Sequence, residues 1–157
     1  MKLLQSVSDL PLQIDTSNTD AMEASLRIYN GKPLINSVNG KRESMEKIFP
    51  LVKKYGGVVV ALTLDERGIP DNAVGRVKIA KRILNTAKRY GISKNDIIFD
   101  TLTMTVSADE RAAKITLDAL RIIKEKLGCN TVLGVSNVSF GLPNRDALNS
   151  AFFTMAL

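Results

Sequence analysis

The stretch GGVVVALTLDERGIPDNAVGRVKIAKRILNTAKRYGISKNDIIFDT, Gly56–Thr101, contains one complete unit of the fold. Its first part, VVVALTL (Val58–Leu64), is the most apolar run of the chain. It is short, rich in β-branched residues and preceded by a glycine pair, which predicts a strand. The polar segment Asp65–Asp71 follows as a loop. Val77, Ala80, Leu84 and Ala87 then recur at helical spacing, and Gly91 stops that helix. DIIFDT (Asp96–Thr101) is a second apolar strand. Continuous apolar strands separated by a helix predict parallel pairing through a crossover, because such strands are covered by helices.

The same unit repeats in both directions. Towards the N-terminus, PLQID (Pro11–Asp15) and KPLINS (Lys32–Ser37) read as strands. A helix from about Thr19 to Tyr29 follows the first, with Asn18 or Thr19 as its cap. A helix over about Glu43–Tyr55 follows the second, with Met45, Ile48, Val52 and Tyr55 on one face. Pro50 lies inside it and predicts a kink or a later start. Towards the C-terminus comes a helix over about Asp109–Leu127, with Ala113, Leu117, Leu120, Ile123 and Leu127 on one face. TVLGVSN (Thr131–Asn137) is the fifth strand, and a last helix lies near Ala147–Leu157. Residues 1–157 thus form one α/β domain of five β-α units.

Composition excludes several classes of chemistry. The 157 residues carry no histidine and one cysteine, Cys129. Histidine bases, histidine metal ligands, a Ser-His-Asp triad, a cysteine-rich zinc site and an internal disulfide are all ruled out. No metal site is expected. No run approaches the roughly 18 apolar residues that span a bilayer, and the polar N-terminus does not fit a signal peptide, so a cytoplasmic protein is expected. The net charge is +6. Between Asn72 and Asn95 there is no acid, while Arg76, Lys78, Lys81, Arg82, Lys88, Arg89 and Lys94 are basic. This stretch reads as a solvated basic helix face or as a docking surface for an anionic partner. Eight aromatics and no tryptophan give few stacking platforms, so nucleic acid is not expected.

Two architectures accommodate five units. Strands beginning near residues 11, 33, 58, 96 and 131 repeat about every 30 residues. Eight such units would need about 240 residues, so length favours an open doubly wound sheet over a (β/α)8 barrel. The strand ends favour the barrel. Asp15, Asn36, Asp100 and Asn137 each lie at or near the end of an apolar run. Any one of them could be a turn former or a helix cap. Together they would converge on the carboxyl face of the sheet, where barrels hold their active sites. Two carboxylates and two carboxamides offer donors and acceptors suited to a heterocycle with an amidine-like edge, such as the aminopyrimidinone of a pterin.

LQIDTSN, KPLINSVNG, GVVVAL, IIFD and GVSNVSFGLPNRDALNSAF occur here in that order. In this they resemble the pterin-binding methyltetrahydrofolate domain of cobalamin-dependent methionine synthases and the related methyltetrahydrofolate:corrinoid methyltransferases. The resemblance implies a (β/α)8 TIM barrel of the dihydropteroate synthase type, here truncated to about five β-α units. It implies that Asp15, Asn36 and Asp100 bind the pterin ring of 5-methyltetrahydrofolate. It places Asn137 near the folate N5 as the catalytic residue, with Ser139 and Arg145 beside the substrate. The methyl acceptor implied is the Co(I) of a corrinoid (cobalamin) carried by a partner domain or protein. Dihydropteroate synthase ranks lower, since that family has basic residues just after the strand matching Thr131–Ser136, where this chain has none before Arg145.

Against the eight units of the family domain, this chain corresponds to the third strand through the helix after the seventh. Such a piece leaves sheet edges and apolar surface to be covered, by homo-oligomerisation or by a complementary chain. The alternative reading is a non-catalytic folate- or pterin-binding fragment that needs another chain to complete the barrel.

Overall fold

The computed structural model describes residues 1–157. Five strands form one sheet: β1 (Gln13–Asp15), β2 (Leu34–Asn39), β3 (Val58–Leu62), β4 (Ile97–Asp100) and β5 (Asn130–Val132). Their order in the sheet is the order in the sequence, and every neighbouring pair is parallel. Between and around them run α1 (Lys2–Val7), α2 (Thr19–Ile28), α3 (Arg42–Tyr55), α4 (Ala73–Arg89), α5 (Ala112–Ile122) and α6 (Arg145–Ala156).

This order decides between the two architectures. A doubly wound sheet reverses direction at a switch point, and its helices then cover both faces. Here every crossover advances to the next strand in the same sense. Right-handed crossovers then place all helices on one face. Burial confirms it: Ile14, Ile35, Val59, Ala61, Ile97 and Phe99 are each no more than 5% exposed and belong to the core. Of the residues alternating with them, Leu34, Leu62 and Ile98 remain partly open to solvent, and only Val60, in the middle strand, is buried. The sheet is a segment of a barrel wall, with helices outside and an uncovered inner face.

Local chemistry fixes the elements. Asn18 caps α2 by accepting from the amides of Asp20 and Ala21, and Asn72 caps α4 by accepting from Gly75. Gly56 and Gly128 take left-handed conformations where α3 and the turn after α5 end. Pro50 neither ends nor delays α3, which runs unbroken from Arg42 to Tyr55. Pro50 is on the solvent side, where water can satisfy the carbonyl it leaves unpaired. Cys129 is buried, and burial pushes its thiol pKa up.

Three expectations change. α1 was not legible, because Leu3 and Val7 are 77% and 73% exposed and show no buried face. The buried face of α5 is Ala112, Thr116 and Ala119, one position out of phase with the predicted Ala113, Leu117 and Leu120, whereas Ile123 is buried as predicted. The leucines at 117 and 120 instead line the edge grooves beside α6. The fifth strand stops at Val132 rather than Asn137, and residues Val135–Ser139 form a 3-10 turn. Having a neighbour on one side only, β5 has fewer ladder bonds to extend it. No helix is long and apolar enough to cross a membrane.

Gly40 marks the tightest junction. A Cβ there would lie 2.6 Å from Ile79 Cγ2 and 2.9 Å from the Leu64 carbonyl. Gly40→Ala is expected to cost about 1–3 kcal/mol through overpacking. Urea unfolding checks this, and an unchanged midpoint would show that the β2–α3 junction is not tight.

Candidate functional site

Register places the strand-end residues. Asp15 pairs with Asn36, Asn36 with Val60, and Val60 with Ile98. Two residues further along, Asn39 pairs with Leu62, Leu62 with Asp100, and Asp100 with Val132. Paired residues in a parallel sheet point to the same side, as do positions two apart. Asp15, Asn36 and Asp100 therefore share the uncovered face at the carboxyl edge. Asn39 and Asp100, at one level of the sheet, are two strands apart, a separation of about 10 Å at the ordinary strand spacing, and Asn36 lies one level below them.

A register shift between Asn36 and Val38 adds a residue to β2. This bulge brings a second carboxamide, Asn39, onto the same face as Asn36. Sequence reading missed Asn39, because it lay beyond the predicted strand end. Its Oδ1 accepts from the Lys41 amide at 2.9 Å.

Asn36 Nδ2 donates to Asp15 Oδ2 at 3.1 Å. This fixes the amide orientation and leaves Asp15 Oδ1 without a protein donor. The pair lines a groove of about 360 Å³ together with Thr16, Ser37, Asn39 and Lys47. Asp100 is more enclosed. Its Oδ1 accepts from the Leu102 amide at 2.7 Å, and its Oδ2 has no protein partner. Burial raises the Asp100 pKa, opposed by the Leu102 amide and by the nearby Arg76 guanidinium. Leu102 reaches this position with φ +63°, a left-handed conformation that costs a non-glycine residue about 1–2 kcal/mol. The backbone strain thus serves a bond to the Asp100 carboxylate.

The turn after β5 carries the remaining predicted residues. Asn137 is exposed in the 3-10 turn. Its Nδ2 would lie 2.9 Å from a Cβ placed on Gly134, so a glycine there lets the carboxamide fold against the backbone. Ser139, in the same turn, is fully buried. Its hydroxyl donates to Asn149 Oδ1 at 2.7 Å and accepts from Arg145 Nε at 3.1 Å. Arg145 Nη2 also donates to the Ser136 carbonyl at 2.9 Å. In this structure both side chains brace the turn that presents Asn137. The adjoining loop is tied to it by the Val106 amide, which donates to the Val138 carbonyl at 3.0 Å.

The basic stretch divides. Lys78, Lys81, Arg82, Lys88 and Arg89 are exposed along α4, whereas Arg76 is 2% exposed and belongs to the interior. Its signal was its spacing: Arg76 precedes Ile79, Ala80 and Ile83 by three, four and seven residues, which places it on their buried face. The acidic loop after β3 is ion-paired, with Arg82 Nη2 2.7 Å from Asp65 Oδ2.

The family model described as pterin binding enzyme matches residues 1–157. Methionine synthase of Mycobacterium leprae is 36% identical over 162 aligned residues, covering 95% of this chain and 13% of that protein. Methionine synthase of Mycobacterium tuberculosis is also 36% identical, with 14% of its length covered. Methylcorrinoid:tetrahydrofolate methyltransferase of Eubacterium limosum is 28% identical over the whole of this chain and 59% of its own. The chain therefore spans between about an eighth and three fifths of these relatives. Among solved structures, dihydropteroate synthase from Xanthomonas albilineans in complex with 7,8-dihydropteroate superposes with a TM-score of 0.69 at 20% identity. That likeness covers 99% of this chain and 60% of the other, and it shows the shared barrel-type fold.

The raised Asp100 pKa has a consequence for stability. Folding favours the neutral acid, so the contribution of Asp100 is favourable at low pH and is lost as pH rises through its folded pKa. At pH 7 its carboxylate opposes folding. Asp100→Asn keeps an acceptor for the Leu102 amide and removes the buried charge. It is expected to raise the urea midpoint at pH 7, with the gap closing towards acid pH. A lower midpoint at pH 7 would show that the carboxylate stabilises the fold.

Proposed function

Since the chain belongs to the pterin-binding enzyme family, we propose that its open sheet face binds 5-methyltetrahydrofolate and supports transfer of the N5-methyl group to a corrinoid cobalt. The corrinoid is a co-substrate carried by a partner domain or protein. The observation that carries this reading is the convergence of Asp15, Asn36 and Asp100 on one face at the carboxyl edge, with an acceptor oxygen of each carboxylate free. The folate and corrinoid assignments are also supported by the methionine synthase and methylcorrinoid:tetrahydrofolate methyltransferase relatives.

The residues divide the work by chemistry. A pterin presents ring N–H and amino donors, which carboxylates accept with charge-assisted hydrogen bonds. Asp100 supplies one such acceptor and Asp15 the other, while Asn36 orients Asp15. The N5-methyl leaves poorly from a tertiary amine, because the electron pair of the broken C–N bond must be taken up by nitrogen. Hydrogen bonding to N5 as the bond breaks lowers that barrier. Asn137 has a carboxamide donor for this, and an amide stabilises rather than donates a full proton. Ser139 and Arg145 act on the substrate through the turn they brace.

A second reading is a non-catalytic pterin-binding fragment that needs another chain to complete the barrel. One observation favours it: the β5 edge has no partner strand, and Val132, Phe153 and Leu157 beside it are 42%, 51% and 91% exposed. Calorimetric titration with methyltetrahydrofolate, with mass measured by light scattering, separates the cases. Saturable binding followed by turnover with a corrinoid acceptor supports the methyltransferase. Binding without turnover supports the fragment, and no binding by folded protein sinks the pterin assignment for this chain.

Two substitutions test the roles. Asp100→Asn should weaken pterin affinity by about tenfold to a hundredfold, the worth of a hydrogen bond to a charged group. In the parent chain, affinity should fall as pH drops through the raised Asp100 pKa, since protonation removes the acceptor charge. Asn137→Ala should reduce the methyl-transfer rate more than folate binding, and equal losses would remove Asn137 from the transition state.

A further inference from the structure

Arg76 is a buried cation outside the predicted pterin contacts. It lies on the inner side of α4, 2% exposed, and no carboxylate touches it. All its partners are neutral oxygens. Nε donates to the Pro70 carbonyl at 3.1 Å. Nη1 lies 2.6 Å from the Thr101 carbonyl, 2.8 Å from the Leu102 carbonyl and 3.1 Å from Thr116 Oγ1. One guanidinium therefore joins the β3–α4 loop, the β4–α5 loop and the body of α5. Burying an unpaired cation is costly, and an apolar side chain would fill the space more cheaply. The position makes sense through what it holds. Thr101 and Leu102 follow Asp100 directly, and Leu102 is the left-handed residue whose amide caps the Asp100 carboxylate.

We propose that Arg76 is a positioning residue for the site: its buried guanidinium clamps the Thr101 and Leu102 carbonyls and so keeps the Leu102 amide aimed at the Asp100 carboxylate. Planarity is essential to this. A fork of fixed N–H groups reaches Pro70 on one side and Thr101 and Leu102 on the other, which a single ammonium group does not. The charge contributes as well. Arg76 is the cation acting on Asp100, whereas the neighbouring strands bring only Leu62 and Val132, and α5 brings Thr116. The importance of this device for pterin binding rests on the function proposed above, but its action on Asp100 does not.

The test therefore begins without ligand. In the full chain, NMR follows the Asp100 side-chain carboxyl through a pH titration and hydrogen exchange at the Leu102 amide. Arg76→Met should raise the Asp100 midpoint by about one unit, the low end of the effect of a nearby opposite charge. Leu102 exchange should quicken by about tenfold as its local opening becomes easier. Arg76→Lys keeps the charge and loses the fork. It should quicken Leu102 exchange while moving the Asp100 midpoint less than Arg76→Met does. If Arg76→Met does not fold, Arg76→Lys decides alone. A folded Arg76→Lys chain with parental Leu102 protection would overturn the proposal, as would a folded Arg76→Met chain with the parental Asp100 midpoint. A purely structural arginine would lower stability and leave both readouts unmoved. Pterin titration of the same proteins then follows. Absence of binding by the parent chain would defeat the function proposed above, while the ligand-free readouts would still judge Arg76.

Discussion

Parallel pairing of β3 with β2 on one side and β4 on the other sets the position of every group that matters. Val60 and Leu62 of β3 form two successive levels at the carboxyl edge. Asn36 aligns with the first, and Asn39 and Asp100 align with the second. The alternate residues, Val59 and Ala61, point into the helical layer and are fully buried. Shifting β4 by one residue would send Asp100 into the core and Phe99 to solvent. The apolar demand of Ile35, Val59, Ile97 and Phe99 thus enforces the polar constellation on the opposite face.

The site carries a concentrated cost. Asp100 is held against its burial, Leu102 occupies a left-handed conformation, and Arg76 sits in the interior hydrogen-bonded only to neutral oxygens. Each serves the Asp100 carboxylate, through the Leu102 amide at 2.7 Å. Local departures from stability rules clustered on one side chain are what a binding site requires, because an acceptor for a ligand must be kept charged and aimed before the ligand arrives. Asp15, by contrast, is exposed and shares one oxygen with Asn36, so its orientation comes from a neighbour rather than from strain.

Much of this was legible in the residues. Short apolar runs with Asp or Asn at or near their ends located β1, β2 and β4 and the polar groups at their carboxyl ends, because strand burial and strand termination both leave local marks. Asn137 was found through its irregular motif, yet not as a strand end: β5 stops earlier because it is an edge. Arg76 was read as surface because arginine is ordinarily solvated, and only its phase relative to Ile79 and Ile83 betrays it. The first turns of the α5 stripe, up to Leu120, were misphased for a related reason. Leucines were assigned to the core, whereas Thr116 occupies it in order to meet Arg76 and the Leu102 carbonyl. Ser139 could not be placed at all without Asn149 and Arg145, which come close only after α6 docks. Periodicity encodes faces, while partnerships between distant loops are encoded by shape.

Burial is graded across the candidate site, and the gradient agrees with the chemistry proposed. At one end Asp100 is enclosed by β3, β5 and the clamped loop, where a low dielectric strengthens hydrogen bonds to a heterocycle. At the other, Asn137 stands exposed on a braced turn. A recognition group gains from enclosure, since water competes less for its partner. A group assisting transfer to a second macromolecule must stay accessible, since the acceptor approaches from outside. Ser139, Arg145 and Asn149 reconcile accessibility with precision: they stiffen the turn from behind and leave its outer surface free.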